Sequence, residues 1–215
     1  MAPRKTRSRE RIGIGFDTDL RRREPSKELR SLIIVTNGEC AERKYFTRLK
    51  SLPWVTATTV RIVFQPGDPR AVVKRAGAML ADGGCDEAWA VCDVDDYASQ
   101  LDEVTRLADR VRVGLALSNP CFEVWLIFHH GACGRYFENA DQVQKHLKKL
   151  DPRWDKLRPE FTTYLDRVTV AEAHARRSGD PVADNPSTAV WTLIESMRKD
   201  HSPQKSPPPD DCDQE

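Results

Sequence analysis

Leu32-Ile33-Ile34-Val35, closed by Thr36-Asn37-Gly38, is an unbroken aliphatic run that stops at a turn. A run this short without polar alternation describes a strand buried on both faces. Outward from it the pattern alternates. A helix is expected over about Glu39 to Leu52, with Tyr45, Phe46, Leu49 and Leu52 on one side. Val60 to Phe64 is a second strand, and Asp68-Pro69 supplies an N-cap and first helical residue for a helix reaching about Ala81. Ala88 to Cys92 is a third strand, ending in Asp93-Val94-Asp95-Asp96, with a helix over about Ala98 to Asp109 behind it. Val111 to Leu117 is the fourth, ending in Ser118-Asn119. Such alternation with short connections predicts an α/β protein, a parallel sheet flanked by helices on both faces. Past Gly131 only helices are expected, over Asp141–Leu150, Pro159–Arg177 and Pro186–Lys199.

The composition bounds the rest. With 34 Lys+Arg against 33 Asp+Glu, net charge +1, the 215-residue chain carries no global bias toward polyanions or polycations. Its distribution does: residues 1–30 hold ten Lys/Arg against five Asp/Glu and almost no aliphatic run, which predicts a flexible basic arm that either serves solubility or meets nucleic-acid phosphates. Residues 201–215 are Pro-rich and acidic and are expected to be a disordered tail. The α/β domain is expected over 31–130 and the helical part over 131–200. No stretch approaches the roughly 18 apolar residues of a membrane span, and no apolar segment follows the basic N-terminus as in a secretory signal. The six cysteines include no C-x-x-C pair, which predicts reduced thiols in the cytoplasm.

Ligands of parallel α/β sheets collect at the carboxyl ends of the strands, and acids stand there. Asp93 and Asp95 are two apart, so in extended chain they share a face roughly 6 to 7 Å apart, a pair that suits Mg²⁺ with its preference for carboxylate and water oxygens. Asp96 faces the other way and either reaches a second ion or caps the next helix. Glu39 follows the first strand, as general acid or base, as metal ligand, or as a favourable charge at a helix start, a duty for which Glu42 competes. Glu123 is the lone charge in Pro120-Cys121-Phe122-Glu123-Val124-Trp125-Leu126-Ile127-Phe128. With Asn119 as N-cap and Pro120 as first residue it falls fourth, beyond the capping box, so burial demands a metal, a catalytic role or an ion pair. His129 reads as a positive charge at that helix's end. Asn185-Pro186-Ser187-Thr188 repeats the Asn-Pro helix start, which makes Asn119, Asn185 and Ser187 candidates for capping or phosphate contact. Arg43, Lys44, Arg48 and Lys50 are a solvated face or a guide for a polyanion.

Taken together, Gly38–Phe46, Asp93–Asp96, Ser118–Leu126 and Asn185–Thr188 resemble in order and spacing the RloB-like family, over essentially Leu32 to Met197. That family's core is similar to a Toprim domain, the Mg²⁺-dependent fold whose sites use one Glu after the first strand and an Asp-x-Asp after a later one. By resemblance these are Glu39, Asp93 and Asp95. The chain departs from the family at Ala41, where Thr is usual. The resemblance implies a Mg²⁺-dependent (or Mn²⁺-dependent) nuclease acting on RNA or DNA in prokaryotic antiviral defence, beside an ABC- or AAA-type ATPase. Asp93 and Asp95 would hold the metal, Asp96 or Glu123 would complete a second position, and Glu39 would be ligand or proton shuttle. Two other readings stand beside it: an inert subunit that docks on the ATPase, and a receiver-like phosphoacceptor using Asp93. Self-association is left open.

Overall fold

The computed structural model describes residues 30–55 and 58–198. The arm expected over 1–30 and the tail over 201–215 lie outside these, with one correction. Arg30 is not part of an arm but the first residue of strand β1 (Arg30–Thr36). The chain then forms helix α1 (Ala41–Leu49), β2 (Thr58–Phe64), α2 (Pro69–Ala81), β3 (Glu87–Asp93), α3 (Leu101–Val111) and β4 (Gly114–Asn119). The later part contains α4 (Glu123–Phe128), α5 (Ala140–Leu150), α6 (Thr162–Leu165), α7 (Val168–Ala175), a two-residue strand β5 (Ser187–Thr188) and α8 (Val190–Arg198).

The strands lie in the order β2-β1-β3-β4-β5, with the first three pairings parallel and β5 antiparallel to β4. The strand over 32–35 is buried on both faces as its composition requires. Leu32 and Ile34 enter one core with α1 and the later helices, while Ile33 and Val35 enter the other with α2 and α3. Asp68 caps α2 as expected, its Oδ1 accepting the Ala71 N–H at 2.8 Å. The helical C-terminal part shares the first of these cores, since Leu193, Ile194 and Met197 of α8 belong to it.

Several boundaries differ from expectation. Val111 ends α3 instead of opening β4: it packs on α2 where Gly77 leaves space, a Cβ there coming within 3.0 Å of Val111, and the helix then stops at Arg112 in the left-handed region (φ 57°). The helix expected over 159–177 is two, α6 and α7, divided at Arg167 (φ −117°, ψ 19°). Neither Asn-Pro pair starts a helix. Both peptide bonds, Asn119-Pro120 and Asn185-Pro186, are cis; α4 begins only at Glu123 and α8 only at Val190.

One polar knot joins the start of the sheet to the last helix. Arg30, 7% exposed, pairs with Glu87 of β3 and donates to the carbonyl and Oγ of Ser196 at 2.6 Å each. Removing Glu87 would leave a buried guanidinium half-paired, so Glu87→Ala should cost about 2–3 kcal/mol, read as a lower urea midpoint. The double change Arg30→Met, Glu87→Leu should recover most of the loss; no recovery would mean that the knot contributes more than charge pairing.

Candidate functional site

α1, which follows β1, covers one face of the sheet, whereas α3, which follows β3, covers the other. The two connections part at the carboxyl ends of neighbouring strands, and in open α/β sheets that is where a crevice forms. A cleft of about 280 Å³ lies there. Asn37, Gly38, Glu39 and Glu42 line it from the β1–α1 side, Asp93 from β3, Glu123 from α4, and Lys156 from the segment between α5 and α6.

Each acid is held by local chemistry. Asp93 is the last residue of β3 and accepts the Phe122 N–H at 2.9 Å. The turn behind it is braced by Pro120, whose carbonyl accepts the N–H groups of Val94 (3.1 Å) and Asp95 (3.0 Å). Glu123 is 2% exposed, and its Oε1 lies 3.6 Å from Lys156 Nζ, an ion pair too long for a hydrogen bond. Glu42, 6% exposed, sits over Gly38 so closely that a Cβ there would come within 2.0 Å of its Oε1. A side chain at position 38 would have to push that carboxylate aside.

Gathering acids away from water raises their affinity for protons. Burial, aided by the Glu123 charge, pushes the Glu42 carboxyl up to about 7, against the pull of a backbone N–H and Lys156. Asp93 is raised well above the usual carboxylate range by burial and then by Glu42 and Glu123, with the Phe122 N–H and Lys156 opposing. Burial lowers Lys156, but Glu123, Cys121, Asp93 and Glu42 outweigh it, so its net shift is upward.

Not every expected residue stands in this cleft. Glu39 does, exposed at its rim. Asp95 is half-buried in a 3-10 turn over Asp95–Gln100 and lies outside the cleft's lining. The extended geometry expected to place Asp93 and Asp95 on one face does not hold, because the chain leaves the strand at Val94 (φ −81°, ψ −47°). Asp96 follows in the same turn, its side chain outside the described part. Asn119 and Asn185 are not helix caps. Asn119 donates to the Pro181 carbonyl (3.0 Å) and accepts from Asn185, while Asn185 exchanges two hydrogen bonds with the Phe137 backbone. Ser187 is fully buried and donates to the Asp184 carbonyl at 2.5 Å. All three knit loops together. His129 is neutral rather than a helix-end cation: burial takes its pKa down to about 3. A carbonyl can only accept, so Nδ1 donates to Trp125 O (2.8 Å) and Nε2 accepts from the Tyr45 hydroxyl (3.1 Å).

Among the described residues, no three His, Cys, Asp or Glu side chains are already gathered into a metal cage. The donor chemistry nevertheless fits a hard divalent cation. Mg²⁺ is commonly bound through one or two carboxylates and keeps several waters, and two buried oxygens lining this cleft, Asn37 Oδ1 and Glu123 Oε1, accept no hydrogen bond.

Fold and site thus define a predominantly parallel α/β protein with an acid-lined crevice at its topological switch point. A family model described as RloB-like protein matches residues 32–197. The chain belongs to the RloB-like family. No curated protein and no solved structure matches it. Among the described residues, no helix is long and apolar enough to cross a membrane.

Between pH 4.5 and about 7 the folded chain keeps the Glu42 proton that the unfolded chain releases, so this group's contribution to stability falls as pH rises through that window. Glu42→Gln cannot lose that proton. Its melting temperature relative to wild type should therefore climb from pH 4.5 to 7.5; a constant difference would contradict the buried environment of Glu42.

Proposed function

We propose that this cleft is the active site of a Mg²⁺-dependent nuclease cutting phosphodiester bonds in RNA or DNA, working in prokaryotic antiviral defence beside an ABC- or AAA-type ATPase. The observation that carries the reading is the convergence of Glu42, Asp93 and Glu123 on one switch-point cleft, with two buried oxygens there left without hydrogen bonds. Oxygen-only ligands select Mg²⁺ or Mn²⁺ over softer ions.

Asp93 and Glu123 would hold the ion, with Glu42 as the third carboxylate and Asp95 and Asp96 in the following turn as candidates for a second position. Bound there, the cation supplies Lewis-acid stabilisation of the charge that builds on a phosphate. The chain does the rest. The Phe122 N–H keeps Asp93 oriented before substrate arrives, which spares reorganisation during reaction. Gly38 admits the Glu42 carboxylate to the cleft. Glu39, exposed at the rim, can pass a proton between the reacting phosphate and solvent. Lys156 tempers the repulsion among the acids.

The Lys156–Glu123 pair also favours the second reading, an inert subunit docking on the ATPase, because a built-in cation offsets part of the cleft's charge without any metal. Two measurements separate them. Purified protein, alone and with its ATPase, is incubated with total RNA and plasmid DNA in Mg²⁺ or Mn²⁺. The nuclease reading expects cleavage that EDTA stops and that Asp93→Asn or Glu123→Gln lowers by roughly 100-fold or more. Equal cutting by the variants sinks the site assignment, and no cutting in any mixture favours the inert subunit. Independently, Mn²⁺ should raise the melting temperature of wild type at pH 7.5 and not that of Asp93→Asn.

Gly38→Ala provides a positional check that removes no acid. Its methyl group would displace the Glu42 carboxylate, so the Mn²⁺-induced rise in melting temperature should shrink although all the carboxylates remain. An undiminished rise would take Glu42 out of the ion site.

A further inference from the structure

The acid cleft continues into a larger space. Glu39 and Cys40 line both it and a neighbouring groove of about 860 Å³, bounded by α1 on one side and residues 158–161 on the other. The charges lining this groove are unbalanced, with Arg43, Lys44, Arg48 and Arg158 against Glu39 and Glu160. All four cations are exposed. Arg43, Arg48 and Arg158 form no ion pair with any described residue.

Both walls are fixed. α1 buries Ala41, Glu42, Tyr45, Phe46 and Leu49 in the core, so positions 43, 44, 47 and 48 are left to the groove. Arg43 and Arg48 are five residues apart, about 7.5 Å of rise along that face. The opposite wall is anchored by Phe161, 3% exposed, and by a turn in which Asp155 Oδ1 accepts the N–H groups of Leu157 (2.8 Å) and Arg158 (3.3 Å). Lys44 spans the two walls, donating to the Leu157 carbonyl at 2.7 Å. Guanidiniums with no acidic partner suit phosphate, which they can bind bidentately. The volume is in the range that encloses a small ligand, enough for a short stretch of one strand and too little to enclose both strands of a duplex.

We propose that this groove holds the sugar–phosphate backbone of a single-stranded nucleic acid beside the phosphate presented to the acid cleft, with Arg43, Arg48 and Arg158 as its phosphate contacts. The direction of the strand toward the acids rests on the nuclease reading; the contacts themselves are tested by binding alone.

Wild type and the triple variant Arg43→Gln, Arg48→Gln, Arg158→Gln are titrated in EDTA against fluorescent single-stranded RNA and DNA 12-mers and a matched duplex, over a range of KCl concentrations. Losing three contacts to a single strand should lower the log–log salt slope by about 2 and weaken binding by roughly tenfold or more. The melting temperature and the Mn²⁺ response should stay unchanged, because the altered side chains are exposed and outside the acid cleft. Equal affinity and slope in the triple variant would overturn the proposal, as would failure of wild type to bind any 12-mer. A slope loss confined to the duplex, or a mononucleotide competing as well as the 12-mer at equal phosphate, would overturn it in favour of a duplex surface or a nucleotide pocket. The two readings fail separately: binding that depends on the arginines without any cleavage removes the nuclease and keeps the groove, whereas Asp93-dependent cleavage with unchanged binding in the triple variant removes the groove and keeps the nuclease.

Discussion

Carboxylates taken out of water must keep their protons, pair with a cation or repel one another. Glu42, Asp93 and Glu123 are brought to a single crevice by three different elements, and the surrounding architecture answers that constraint. A backbone N–H from Phe122 steadies Asp93, Lys156 stands 3.6 Å from Glu123, and Gly38 opens the space that Glu42 occupies. Burial and the Glu123 charge push Glu42 up, so the crevice holds protons more tightly than exposed carboxylates would. A divalent cation would compete with protons for the same oxygens, which makes its affinity pH-dependent.

The walls of the acid cleft and of the basic groove are one body. Tyr45 of α1 meets Phe122, Trp125, His129 and Phe161 edge-on, with ring centroids 5.3 to 6.3 Å apart. Edge-to-face packing of this kind fixes geometry as well as burying area. Glu42 and Arg43 are adjacent on the helix that carries Tyr45, one facing the acids and the other the groove. The neutral His129 ties Tyr45 to Trp125 by two hydrogen bonds. The C-terminal part is therefore no appendage: it supplies Phe161 and Lys156 to these walls, while β5 extends the sheet through the Ser118–Thr188 hydroxyl contact at 2.7 Å.

Much of this could be read from the chain alone, for identifiable reasons. The strands of the parallel sheet are short aliphatic runs ended by turn residues, and Asp68-Pro69 carries its own capping chemistry. Glu123 betrayed itself as a charge in an otherwise apolar segment. Glu42 was legible too, since it precedes Tyr45, Phe46 and Leu49 by three, four and seven residues, the spacing of one helical face; reading it as a helix-start charge missed that. The Asn-Pro pairs misled because the same two residues suit a helix start and a loop junction, and only tertiary partners such as Phe137 and Pro181 decide between them. Lys156 comes from an irregular segment with no periodic pattern, and two-residue β5 is too short to have one.

The Arg30–Glu87–Ser196 knot lies at the amino ends of the parallel strands, whereas the acids lie at their carboxyl ends. From Arg30 to Thr36, β1 separates the two poles by about 20 Å. Arg30 and Ser196, close to the two ends of the described residues, are thus joined at the pole remote from the acids. The polar knot and the acid-lined crevice therefore sit at opposite ends of the same strands, so a change at one need not disturb the other.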